Sequence, residues 1–212
     1  MDNGKTQTKQ TQSEISSHKA LELLKKGNDR FLKNKFLNRD YNEQISISSQ
    51  GQFPFAIVLS CIDSRVPVET IFDQGIGDVF SVRVAGNVIS KDILGSVEYA
   101  CKFAGVKLIV VLGHTSCGAV KGACDGLEHG NLTHLLKKIQ PAIDKTKTKL
   151  TEFRDSSNID FVNAVANNNL LQSIKDIKSK SLTLKEMLLS KDVLISSAMY
   201  NVDSGVVKFN YL

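Results

Sequence analysis

Three short apolar runs constrain this chain more than any other feature. Residues 55–60 (FAIVLS), 79–84 (VFSVRV) and 108–112 (LIVVL) are each too short for a buried helix. They lack the strict alternation of a half-exposed strand, so they suit strands covered on both faces of a parallel sheet. Parallel neighbours need a crossover, and the segment before the third run supplies one. In SKDILGSVEYACKFAG, Ser90 can cap a helix, Ile93, Leu94, Val97, Ala100, Cys101 and Ala104 keep helical spacing, and Gly105 closes it. Strand, helix and strand of these lengths form a right-handed βαβ unit.

The flanking segments extend this layout. Residues 1–16 are rich in Thr, Gln, Ser and Lys and are expected to be a disordered tail, or an arm that orders only against a partner. From Ser17, Leu21, Leu24, Phe31 and Leu32 share a helical face, with Gly27-Asn28 as a site for a kink. Residues 131–190 read as helices: Asn131 is a cap candidate, Pro141 restarts the path, 158–178 is amphipathic, and Ser181 opens a short last helix. VLISSAMY and VVKFNYL are strands joined through NVDSG, which has hairpin-turn chemistry. The expected fold is therefore α/β. One domain over 17–212 holds a central, mostly parallel β-sheet of four strands plus an edge C-terminal strand, flanked by helices, with an N-terminal helical arm.

Composition excludes some functions. The net charge of +5 lies within residues 137–191, where eleven basic side chains face six acidic ones. Without Arg clusters or interleaved aromatics this reads as solvated helix faces, not a nucleic-acid site. No apolar run approaches the roughly 20 residues of a membrane helix, and residues 1–14 show no secretory leader. Four cysteines are too few and too dispersed for a disulfide scaffold.

Two of the runs end in residues that carry chemistry. The first leads into Cys61-Ile62-Asp63-Ser64-Arg65 and the third into His114-Thr115-Ser116-Cys117-Gly118. In open parallel sheets, sites form beyond the carboxyl ends of strands, so adjacent strands would bring Cys61, His114 and Cys117 together. Two thiolates and an imidazole form a zinc ligand set with the fourth position open, the arrangement of catalytic zinc. Asp63 can approach that position, either as a hydrogen-bond acceptor or as a fourth ligand, with Arg65 holding it ionised. Cys101, on an apolar helix face, reads as core, and Cys124 as a free thiol. His18, His129 and His134 lie in polar stretches and read as solvated.

These residues resemble the β-class carbonic anhydrases. The likeness covers C-x-D-S-R at 61–65 and H-x-x-C-G at 114–118. It continues through residues 27–31, GDVFSVRVAGN at 77–87, EYA at 98–100 and AMYNVDSGVVKF at 198–209. The resemblance implies one Zn2+ per chain on Cys61, His114 and Cys117, with Asp63 and Arg65 as a catalytic dyad and Asp63 as fourth ligand only in a closed state. It implies a plant-like, type I site with a substrate pocket of Gln52 (from a neighbouring subunit), Phe80, Ala85, Tyr99 and the Gly118 N–H. Arg83 matches one member of an inhibitory bicarbonate site found in another branch. That branch's Trp position is Val58, and the chain has no Trp, so no such site is expected.

The implied activity is reversible hydration of CO2 to bicarbonate and a proton. The implied assembly is a homodimer at minimum, with a tetramer or larger ring open. The free thiols suit the cytoplasm, with a periplasmic or exported location as the alternative if a leader has been removed. Carbon disulfide or carbonyl sulfide hydrolysis on the same metal shell, and a non-catalytic zinc or thiol module, are the competing readings.

Overall fold

The three apolar runs become adjacent parallel strands. In the computed structural model, which describes residues 4–210, β1 (Ala56–Ser60), β2 (Val79–Arg83), β3 (Leu108–His114) and β4 (Leu194–Tyr200) pair in parallel. β5 (Val207–Asn210) returns antiparallel on β4, giving the order β2-β1-β3-β4-β5. This is the four-strand sheet with an antiparallel edge that the sequence predicts; residues 211–212 of its last strand lie outside the described residues.

β1 and β3 are buried along their whole length, which is why their sequences need no alternation. β2 departs from the expected cover on both faces: it is the edge strand, and its residues are half-buried or exposed. Ala56, Val58, Val110 and Leu112 face one core with Leu21, Leu24 and Phe72. Ile57, Leu59, Ile109 and Val111 face the other with Val97, Leu170 and Ile174. The helices are α1 (Lys9–Glu14), α2 (Ser17–Leu32), α3 (Tyr41–Ser48), α4 (Val68–Ile71), α5 (Lys91–Lys102), α6 (Gly118–Cys124), α7 (Gly130–Lys137), α8 (Gln140–Lys145), α9 (Ile159–Lys180) and α10 (Leu182–Leu189). α2 and α4 cover the first face; α5, α10 and the later turns of α9 cover the second. A third cluster, built from α6, α7, α8 and the first half of α9, packs around Cys61 and Cys117.

Three local expectations change. The segment expected to be disordered contains α1, capped reciprocally by Thr8 and Thr11. Gln12 Nε2 donates to the carbonyls of Pro54 (2.7 Å) and Ala104 (2.8 Å), and Lys107 Nζ donates to those of Ser13 and Ile15. These anchors are mostly polar, so low apolar content concealed them; residues 1–3 lie outside the described residues. α2 runs unbroken through Gly27 and Asn28. Gly27 is there for close approach, since a Cβ would sit 1.7 Å from the carbonyl oxygen of Phe72. Asn28 is buried, with Nδ2 donating to Ile71 O and Gly205 O while Oδ1 accepts the N–H of Val207. Finally, α7 starts at Gly130 with His129 as its N-cap and no side-chain cap bond, so Asn131 does not cap it.

A buried charge cluster ties the α2 side of the molecule together. The carboxylate of Asp73, directly after α4, is 1% exposed and accepts from Arg30 Nε, Arg39 Nη1 and the backbone N–H of Leu37. Burial works against its charged form, yet the two guanidinium groups prevail and hold its pKa below the usual carboxylate value.

Candidate metal centre

The strand order reverses between β1 and β3: β2 flanks β1 on one side, and β4 flanks β3 on the other. Backbone leaving the carboxyl ends of these two strands diverges and opens a crevice there. Cys61 follows β1, His114 ends β3, and Cys117 is the N-cap of α6. They are 3%, 1% and 2% exposed, and their donor atoms all lie within 4.8 Å of one another. Cys61, His114 and Cys117 thus converge as the sequence predicts.

The histidine is oriented by its own loop. Nδ1 lies 2.9 Å from the carbonyl oxygen of Thr115, which assigns the ring proton to Nδ1 and leaves the Nε2 lone pair facing the sulfurs. That Nε2 is buried and has no hydrogen-bond partner among the described residues. The two Sγ atoms are 3.9 Å apart. Hydrogen bonding from Cys117, helped by the backbone N–H groups of Asp63 and Gly86, outweighs burial and brings the Cys61 pKa down to about 4. The same contact and burial push Cys117 up. Two thiolates this close in a dry site repel, so the pair holds one negative charge until a cation lets both ionise.

Asp63 stands at the rim, its Oδ2 3.8 Å from His114 Nε2. Both carboxylate oxygens are engaged by Arg65: Oδ1 by the backbone N–H (3.0 Å) and Nε (2.9 Å), Oδ2 by Nη2 (2.8 Å). These bonds bring the Asp63 pKa to about 2. Arg65 Nη2 also reaches Ser116 O at 3.3 Å, linking the two ligand loops. Arg83 donates to Cys61 O (3.0 Å) and Asp63 O (2.7 Å), bracing the loop after β1. The sequence marked Arg83 only as a family position, and its bracing role was not visible there.

The pocket residues divide. Ala85 opens the short 3-10 turn Ala85–Asn87, whose Gly86 N–H lies 3.3 Å from Cys61 Sγ, and Gly118 opens α6 immediately after Cys117. Both are beside the cluster. Phe80 and Tyr99 are not: with Ile57, Val82 and Gly95 they line a separate cavity of about 520 Å³. Phe80 pairs with Ile57, four residues before Cys61, or about 13 Å along a strand. Gln52 is exposed and precedes β1, so it too lies at the far end of that strand from the cluster. Among the remaining thiols, Cys101 is in the α5 core, where burial pushes its pKa up to about 12, and half-buried Cys124 is pushed up to about 11 by burial.

Gly86 is a position in this site that favours glycine. Its φ is +66°, and a Cβ would come within 2.9 Å of Ile139 Cδ1. Gly86→Ala is expected to lower stability by about 1–3 kcal/mol, read from the urea unfolding midpoint.

The chain was compared with known proteins. The family model described as carbonic anhydrase matches residues 56–207. Carbonic anhydrase 2 of Mycobacterium tuberculosis is 33% identical over 193 residues, covering 88% of this chain and 89% of that protein. The solved β-carbonic anhydrase CafA of Aspergillus fumigatus is similar with a TM-score of 0.71 at 27% identity, covering 80% of this chain and 81% of that one. A β-carbonic anhydrase of Sordaria macrospora, described as tetrameric, gives 0.67 at 27% identity, covering 78% and 84%. With most of its length matched in sequence and fold, and Cys61, His114 and Cys117 gathered at the sheet edge, this chain belongs to the β-carbonic anhydrase family.

Proposed function

We propose that this chain binds one zinc ion through Cys61, His114 and Cys117 and hydrates CO2 reversibly to bicarbonate and a proton. The observation that carries this is the buried Cys-His-Cys convergence with an ionised carboxylate at its rim. The donor set fits zinc. Tetrahedral zinc with Zn–S near 2.3 Å sets two sulfurs about 3.8 Å apart, and here they are 3.9 Å apart. The buried Nε2 of His114, without a hydrogen-bond partner among the described residues, is the third donor. When bound, zinc supplies a Lewis acid that makes a nucleophile of water near neutral pH.

The protein residues do the rest. A carboxylate with a pKa of about 2 is too acidic to take up a proton at neutral pH, so Asp63 acts as an acceptor that orients the proton of the attacking group. Arg65 fixes that acceptor through three hydrogen bonds. With both Asp63 oxygens on Arg65, the arrangement supports the open, type I site, whose fourth position faces solvent. Asp63→Ala is expected to retain zinc while losing about 10- to 100-fold in turnover. Metal analysis beside stopped-flow CO2 hydration checks this, and full turnover in that variant would remove Asp63 from the mechanism.

The separation of Gln52, Phe80 and Tyr99 from the cluster within one chain supports a site completed by a second copy, hence a homodimer at minimum. The decisive assay is zinc content with CO2 hydration on the same preparation. One zinc per chain with no CO2 hydration would refute the reading, and turnover of carbon disulfide alone would replace it.

A further inference from the structure

One helix that carries no metal ligand holds both the loop before Cys117 and the turn that faces Cys61. Asn169 of α9 is buried, and its Nδ2 donates to Gly86 O at 2.7 Å. One turn on, Ser173 Oγ donates to Asn87 O at 2.9 Å. Near the start of α9, Asn163 Oδ1 accepts the N–H of Ser116, the residue before Cys117, at 2.9 Å. Ser116 has φ +55°, a strained conformation for serine that persists where its surroundings impose it.

The turn at Ala85–Asn87 has two faces. One is held by α9; on the other, Gly86 points its N–H at Cys61 Sγ, 3.3 Å away. Asn87 N closes on Val84 O at 2.9 Å, which ties the two faces of the turn together. Releasing its hold on α9 therefore frees the N–H to leave the sulfur. A hydrogen bond into a thiolate draws electron density from it, and such outer partners tune the metal that the thiolate binds.

We infer that Asn169 is a positioning residue for the metal centre: by holding Gly86 O it keeps the Gly86 N–H on Cys61 and sets how strongly that sulfur donates to the metal. The inference rests on the proposed metal site. A merely structural role would lower stability and leave the metal's absorption where it is. The adjacent Asn168 provides the control, because its Nδ2 donates to Thr146 Oγ1 at 2.7 Å and makes no bond to either ligand loop.

The test uses Co2+ in place of zinc, read by absorption and by metal affinity. Asn169→Leu is expected to move the sulfur-to-cobalt charge-transfer band to lower energy, as the sulfur regains electron density, and to weaken cobalt binding about 10-fold, as the ligand set loses its fixed geometry. Asn168→Ala is expected to change neither. Asn169→Ser, whose hydroxyl is too short to replace the amide, serves if the leucine variant does not fold. An unmoved band in a folded Asn169 variant, or an equal shift in Asn168→Ala, overturns the inference, as does failure of both Asn169 variants to fold. Wild-type protein that takes up no cobalt would sink the metal site itself. Cobalt uptake by wild type with an unmoved Asn169 variant sinks only the positioning role.

Discussion

Cys117→Ala protein is expected to come without metal and to show CO2 hydration no faster than buffer. Three donors within 4.8 Å make the site, and none of the remaining thiols can replace the lost one: Cys101 lies in the α5 core and Cys124 at the far end of α6. The substitution deletes a single sulfur from a cluster that also holds Val120, Ala123 and Ile139, so the fold should survive. A ligand present at 1,000 times its Kd stabilises a protein by about 4 kcal/mol. Zinc should accordingly raise the melting midpoint of wild type and leave that of Cys117→Ala unchanged. Binding also requires both thiols to ionise, so metal affinity should fall as pH falls. Cys124→Ala, which alters a half-buried thiol outside the cluster, should match wild type in every assay. Metal uptake by Cys117→Ala would show that the ligand set is wrong.

The second large effect is on stability. Asp73→Asn leaves two guanidinium groups facing a neutral amide in a buried setting, where breaking a charge pair costs about 3–5 kcal/mol. Because the folded-state pKa is depressed, the stabilisation is present above the unfolded carboxylate value of about 3.9 and is lost as pH falls below it. The difference in urea midpoint between wild type and Asp73→Asn should therefore be full at pH 7 and shrink below pH 4. A difference that stays constant to pH 3 would mean that the cluster acts through shape and not through charge.

The sheet and the ligands were legible because each has a local signature. β1 and β3 announce themselves as unbroken apolar runs, and Ser90 and Ser181 cap α5 and α10 as their positions predict. The metal residues follow from strand ends once β1 and β3 are neighbours, a condition the structure supplies by placing β1 between the two strands of the predicted βαβ unit. What escaped depends on partners far away in sequence. The anchoring of Gln12 by carbonyls at 54 and 104 leaves no trace in residues 1–16. The clamp on Asp73 is made by arginines 43 and 34 residues earlier. Phe80 and Tyr99 match pocket positions in the family, yet register alone reveals that Phe80 sits four residues up the strand from the metal end. The asparagines of α9 were visible as part of an amphipathic helix, but nothing local distinguishes Asn169, which holds the turn facing Cys61, from Asn168, which does not.

Asn28 gives the molecule a timetable. Its side chain meets Gly205 and Val207, 177 and 179 residues later in the chain. At ribosomal rates of 5–20 residues per second, the nascent α2 waits roughly 10 to 35 seconds for those partners. Until then the Asn28 amide has only Ile71 O to pair with, and β4, which belongs between β3 and β5, is missing for most of that wait. The sheet therefore closes only late in synthesis, and the exposed β3 edge of the unfinished chain is the species that chaperones would meet.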